Sequence, residues 1–276
     1  MLLVKKVLNN NVIVAEHPEY EEVVLIGKGL GFNKKIGDTV AGDKAEKFFV
    51  LREEKDQEQY KQLLNYVDES FIGLMNDIIE IVEDRFSIRL NEHIHISLTD
   101  HLFYAIKRIK QGLDIKNPFL NETELAYPKE FAVACEVVDH INDELNILIP
   151  PGEVGFITLH IHSALTRRTL REVNRHTQLI SELVLVIEES LNIKMDHKDT
   201  RYLRLVRHLH HAIERITKEQ YMDNQEPLKK VLQAEYPLCY NLSWKLMKIM
   251  QQALKKTIPD AEAVYLTLHL QQLSKQ

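Results

Sequence analysis

The chain has 276 residues, 45% hydrophobic and 28% charged, with a formal net charge of −6. That hydrophobic share supports folded cores and excludes a disordered chain. The acidic balance excludes a globally basic nucleic-acid binder but leaves room for a local basic surface.

Residues 1–52 read as β. Val4–Leu8 and Val12–Ala15 are β-branched runs separated by Asn9, Asn10 and Asn11. Asparagine tolerates positive φ, so the triple Asn predicts a hairpin turn. Val23–Ile26 is a third run, ending at Gly27-Lys28-Gly29-Leu30-Gly31, where three glycines permit a tight, irregular backbone. Phe32 opens a short further segment with Lys34 and Lys35. Gly37-Asp38 turns the chain, and Phe48–Leu51 closes the unit. About 50 residues without a disulfide or metal is small for a lone domain, so self-association is the natural remedy.

The charged run Arg52–Gln59 predicts a linker. From Tyr60 apolar residues recur at helical spacing: Leu63, Leu64, Val67, Phe71, Leu74, Met75, Ile78, Ile79 and Val82. Asn91 is a candidate cap for a helix carrying Ile94, Leu98, Leu102, Ala105 and Ile109 that stops near Gly112. Asn117-Pro118 breaks the chain. Further helices are predicted over 128–145 and from Pro150-Pro151-Gly152 to near Leu165. Beyond Arg171 they are predicted over 172–191, 198–218, 227–234, 236–255 and 259–273. Cys135 and Cys239 lie in apolar helix-like sequence and read as buried structural thiols. No run approaches the roughly 18 apolar residues of a membrane span, and the N-terminus lacks a long apolar stretch, so a soluble, cytoplasmic protein is expected. No Gly-rich phosphate loop, dinucleotide fingerprint or nucleophile elbow is present.

The chain repeats itself. Glu153–His160 (EVGFITLH) recurs as Glu262–His269 (EAVYLTLH), an offset of 109 residues. Each copy follows an Ile-Pro pair, at Ile149-Pro150 and Ile258-Pro259, and a Tyr-Pro pair, at Tyr127-Pro128 and Tyr236-Pro237. Upstream, Leu98–Ile109 (LTDHLFYAIKRI) aligns with Leu205–Ile216 (LVRHLHHAIERI) at an offset of 107 residues. A period this long suits a duplicated domain and not a solenoid of short repeats. Each repeat is expected to be an all-α bundle of about five helices.

Each repeat holds one early histidine, His101 or His208, and one late, His160 or His269. A single helical histidine is most simply a core or surface residue. Metal binding is disfavoured, because the i,i+2 pairs His93/His95 and His160/His162 point to different helix faces and no HExxH or CxxC accompanies them. His93, His140, His176 and His197 have no counterpart in the other repeat, whereas the four registered histidines do. Acid–base chemistry would call for a repeated carboxylate partner. Asp100 precedes His101, but Arg207 stands before His208, so none is expected. A nucleophilic imidazole that accepts a phosphoryl group needs only an accessible nitrogen, and its product can repack an interface.

With KKVLNNNV, then GKGLGF, then two helical repeats each with an early and a late histidine, the chain resembles the transcriptional antiterminators that respond to the sugar phosphotransferase system, the BglG/SacY type. The specific parts are LTDH at Leu98–His101 and the two TLH segments; GKGLGF with HPEY at His17–Tyr20 is most similar to its glucose-type members. The resemblance implies a multidomain protein: a small N-terminal antiparallel β RNA-binding domain (1–56) followed by two homologous all-α helical-bundle regulatory domains (57–171 and 172–276). It implies a dimer that stabilises an antiterminator hairpin in a leader mRNA. It implies phosphoryl donors among the phosphocarrier HPr and a sugar-specific enzyme II, with no cofactor, no metal and no enzymatic activity of its own. RNA-facing candidates are Lys6, Asn9, Asn11, Gly27, Lys28 and Phe32; phosphoacceptor candidates are His101, His160, His208 and His269, the first two forming the inhibitory site. Asn side chains can bond base edges, Phe32 can stack on an unpaired base, and the lysines can meet phosphates. Lys28 stands where many members carry Arg, and lacks its bidentate fork. Two other readings keep the helical repeats: a phosphohistidine relay, which needs a downstream substrate site, and a DNA-binding activator, which needs a helix-turn-helix where residues 1–52 read as strands.

Overall fold

A computed structural model describes residues 1–8, 10–45, 47–49, 58–59, 62–63, 66–91, 93–220 and 226–274. Asn9, Tyr60, Leu64 and most of the 52–59 run lie outside them. The chain packs as two units, Met1–Lys116 with Glu130–Arg168, and Asn117–Lys129 with Thr169–Gln276.

In the first unit, β1 (Leu2–Val7), β2 (Val12–His17), β3 (Glu21–Ile26), β4 (Thr39–Val40) and β5 (Lys47–Phe49) form an antiparallel sheet in the order β4-β1-β2-β3-β5. The period-2 alternation sends two apolar sets to opposite faces. Val12, Val14, Val24 and Ile26 share a buried cluster with helical residues such as Ile78, Leu98, Ile141 and Ile157. Leu2, Val4, Ile13, Ala15, Val23 and Leu25 form the second cluster with Leu30 and Val40.

The helices are α1 (Glu69–Phe86), α2 (Ile94–Lys110), α3 (Leu120–Ala126), α4 (Pro128–Leu145), α5 (Pro151–Thr166), α6 (Leu170–Leu191), α7 (Thr200–Thr217), α8 (Glu226–Glu235), α9 (Pro237–Leu254) and α10 (Asp260–Ser274). Each repeat supplies five of these; periodicity predicts all five in the second and four in the first, α3 being the exception. Asn91 stands two residues before the N-cap instead of at it. Its Oδ1 accepts from His93 N at 3.1 Å, and His93 itself is the N-cap of α2. α6 begins with a capping box, the Thr169 and Glu172 side chains satisfying each other's backbone N–H groups. Cys239 is buried and Cys135 half-buried, and neither is in a disulfide.

The repeated segments become the central helices. α5 and α10 bury residues on nearly every side, among them Val154, Ile157 and Ile161 in one and Val264, Leu266 and Leu270 in the other, the mark of a helix inside a bundle. The motif threonines are structural: Thr158 Oγ1 donates to Val154 O at 2.7 Å, and Thr267 Oγ1 contacts both Ala263 O and Ser243 Oγ.

The short helix α3 is not among the helices that the sequence predicts. It lies in the second unit, against α6 and α7. Tyr202 Oη, fully buried, donates to Glu122 at 3.1 Å, and Tyr127 meets His210 edge-on. Its repeat counterpart α8 packs instead on α9 and α10. No described helix is long and apolar enough to cross a membrane.

Candidate functional site

One end of the sheet gathers most of the N-terminal candidates. Asn11 follows the β1–β2 turn, and its Oδ1 accepts from Gly29 N at 2.6 Å while its carbonyl accepts from Gly27 N at 2.9 Å. Gly31 N donates to Asn10 O at 2.7 Å. These bonds tie the glycine loop to the asparagine turn. Gly29 sits at φ +69°, the left-handed region in which a side chain is strained. The loop then presents Lys28 exposed and Phe32 62% exposed, an uncommon position for a phenyl ring. Gly27 is buried and shapes the loop through its backbone. Lys6 is exposed on β1; Asn9 lies outside the described residues. Lys34 is drawn inward, its Nζ donating to Thr39 O at 3.2 Å.

The registered histidines meet in pairs. His101 on α2 and His160 on α5 have ring centroids 5.0 Å apart and tilted by 36°. His208 on α7 and His269 on α10 stack at 3.5 Å and 20°. The cause is helical geometry. A spacing of seven residues is nearly two full turns, so both residues share a face. α2 carries His101 and Arg108 on one such face, and α5 carries Glu153 and His160; α7 repeats this with His208 and Arg215, and α10 with Glu262 and His269.

A buried carboxylate does recur beside both histidine pairs, but it meets a histidine only in the first repeat. Glu153, 2% exposed, takes His101 Nε2 at 2.9 Å on one oxygen and Arg108 Nη2 at 3.0 Å on the other. Glu262, 1% exposed, takes Arg215 Nε at 3.0 Å and Nη2 at 2.7 Å. Both carboxylates stand first in the repeated octapeptide. The residues flanking each histidine do not reveal this carboxylate, because it sits one helix away.

Burial disfavours the charged form of His160, His208 and His269. Desolvation, reinforced by His101 and His93, pushes His160 down to about 3, and its Nδ1 is buried without a hydrogen-bond partner. Desolvation, then His208 and Arg215, push His269 down to about 4. His208 is lowered by burial first, then by the positive surroundings of His211, Arg207, Arg215 and Arg204. A neutral imidazole keeps a nucleophilic lone pair, and the neighbouring guanidinium is the group best shaped to receive a phosphoryl oxyanion. Two of the other histidines have local partners: His162 Nδ1 lies 2.8 Å from Glu130, and His197 packs edge-on against Tyr202. Among the described residues no group of three His, Cys, Asp or Glu is placed to hold a metal ion.

A small β domain ahead of two helical repeats with enclosed histidine pairs defines the class, a modular protein with a front binding surface and duplicated helical modules behind it. Residues 2–58 match the model of the CAT RNA binding domain, and residues 76–164 and 181–273 match that of the PRD domain. The chain belongs to the family of antiterminators built from these domains. It is 55% identical over 273 residues to the PtsGHI operon antiterminator of Bacillus subtilis (strain 168), covering 99% of this chain and 97% of the relative. It is 38% identical over 279 residues to the GlcA/glcB genes antiterminator of Staphylococcus carnosus (strain TM300), covering 99% and 96%. The crystal structure titled GlcT CAT-PRDI matches with a TM-score of 0.55 at 55% identity, over 60% of this chain and 98% of that one.

Proposed function

We propose that the chain is an RNA-binding transcriptional antiterminator that stabilises a leader-mRNA hairpin and is controlled by histidine phosphorylation from the sugar phosphotransferase system, with glucose as the signal. Residues 1–56 bind RNA as a dimer; residues 57–171 and 172–276 are the regulatory domains. It acts in the cytoplasm as a regulator and not as an enzyme, with HPr and a sugar-specific enzyme II as donors. The observation that carries this reading is the pair of facing histidines recurring in both repeats behind a segment matched to an RNA-binding domain.

The RNA surface is Asn11, Lys28 and Phe32, with Lys6 beside them on β1, and Asn9, outside the described residues, completes the set of candidates. The phosphoacceptors are His101, His160, His208 and His269. A phosphoryl group replaces a nearly neutral ring with roughly one to two negative charges, which in a symmetric dimer faces its own copy and shifts the interface.

The test is an RNA gel shift with leader hairpins, using the protein phosphorylated or not by a phosphohistidine carrier. Affinity should change with phosphorylation, and Phe32→Ala should weaken binding by roughly 1–3 kcal/mol through lost base stacking. Hairpin affinity indifferent to both would refute the reading. Passage of the phosphoryl group onward to a sugar would make the chain a relay instead.

A further inference from the structure

The two histidine sites hold the same four residue types in two different pairings. In the first, Glu153 divides its oxygens between His101 Nε2 and Arg108 Nη2. Arg108 Nε is left buried with no hydrogen-bond partner, an unmet donor that folded proteins rarely keep. In the second, Glu262 gives both oxygens to Arg215, through Nε and Nη2, and His208 stacks on His269 without it. The second arrangement satisfies the donor that the first leaves unmet. Moving from one to the other exchanges one hydrogen bond to a charged group for another, so the two lie close in energy.

We propose that Glu153 is a latch on His101: it withholds Nε2 from a phosphoryl donor in the pairing observed here, and releases it by adopting with Arg108 the bidentate pairing that Glu262 makes with Arg215. This rests on the phosphorylation reading above and names the residues that govern its first site. A carboxylate only accepts hydrogen bonds, so Nε2 is the donor and carries the ring proton. An oxygen 2.9 Å from Nε2 leaves no space for phosphorus. On release the ring proton moves to Nδ1 through water, and Nε2 gains the lone pair. That pair attacks the phosphorus of a phosphohistidine carrier. The N–P bond forms, the carrier's P–N bond breaks with its electrons on the carrier's ring nitrogen, and that ring takes up one proton as His101 gives up its own. Glu153 is thus a positioning residue, acting on the acceptor and not on phosphorus.

The test is site-resolved phosphorylation of the full chain by a phosphohistidine carrier protein, followed by mass spectrometry. Wild type is compared with Glu153→Ala, the near-isosteric Glu153→Gln and Arg108→Lys, with nitrogen NMR of the imidazoles in the same samples. Wild-type His101 should carry its proton on Nε2. Labelling of His101 should rise about tenfold in Glu153→Ala, the factor for losing one hydrogen bond to a charged group, and rise less in Glu153→Gln. It should fall in Arg108→Lys, since an ammonium has no fork to draw the carboxylate away. A wild-type His101 protonated on Nδ1, or labelling no faster in either Glu153 variant while other histidines are labelled, overturns the latch and leaves the phosphorylation reading standing. Labelling of no histidine in any protein, with His101 visibly freed in the variants, overturns the phosphorylation reading and the latch's role together.

Discussion

In the first repeat a buried carboxylate serves two partners, and in the second it serves one. Glu153 holds His101 and Arg108 together, and the histidine rings stand 5.0 Å apart. Glu262 is spent on Arg215 alone, and the rings close to a 3.5 Å stack. Neighbouring charge accounts for much of the difference. His101 follows Asp100, whose Oδ1 accepts from Tyr66 Oη at 2.9 Å. His208 follows Arg207 and lies among Arg204, Arg215 and His211, which disfavour a charged imidazole there. Two neutral rings can stack face to face where a charged pair would repel. Shared spacing therefore fixes which groups meet, and surroundings fix how they pair.

The largest test of this contrast removes the arginines. Arg215→Met leaves Glu262 buried with no cation, a loss of about 3 kcal/mol for a broken buried pair. Arg108→Met should cost less, about 1–2 kcal/mol, because His101 still donates to Glu153. Urea denaturation of the full chain measures both. Equal losses would mean that the His101 bond contributes nothing to holding Glu153.

Acid sharpens the comparison next. His160 and His269 are held below the usual 6.5, to about 3 and about 4. The unfolded chain then takes up protons that the folded rings refuse. Their contribution to stability is full well above pH 6.5 and declines as pH falls from there towards the folded values. For the deeply buried His160 the decline is on the order of 1 kcal/mol per pH unit. His160→Gln in the first repeat and His269→Gln in the second should each flatten the dependence of stability on pH between 6.5 and 5, measured by denaturation at several pH values. An unchanged slope in both would show that neither ring is kept neutral by the fold.

The smallest effect lies in the shared threonine. Thr267 Oγ1 meets Ala263 O and Ser243 Oγ, whereas Thr158 Oγ1 meets Val154 O alone. Thr267→Val should cost about 1 kcal/mol and Thr158→Val a fraction of that, read as shifts in Tm. A larger loss at Thr158 would place the more demanding core in the first repeat.

Much of this was legible before any coordinates. The β-branched runs between residues 4 and 26 predicted the strands, because branched side chains suit a pleated backbone, and the 3.6-residue period predicted nearly every long helix, because burial of one face leaves a regular trace. The duplication singled out four histidines from thirteen, and the structure pairs them ring to ring. Glu153 and Glu262 were visible as letters of the repeated motif, yet their partners lie 52 and 47 residues away, a distance that no local pattern spans. α3 was missed because its 7 residues are too few to establish a period.

What the sequence determined by itself is the inventory and its register: strands, helices, two copies, and the seven-residue steps that align Glu with His and His with Arg. Those depend on backbone geometry, which is local. The tertiary structure decided the pairing: which oxygen faces which nitrogen, which rings are dry enough to stay neutral, and where α3 packs. Those depend on desolvation and on charges brought close by folding, quantities that exist only once distant segments share one interior.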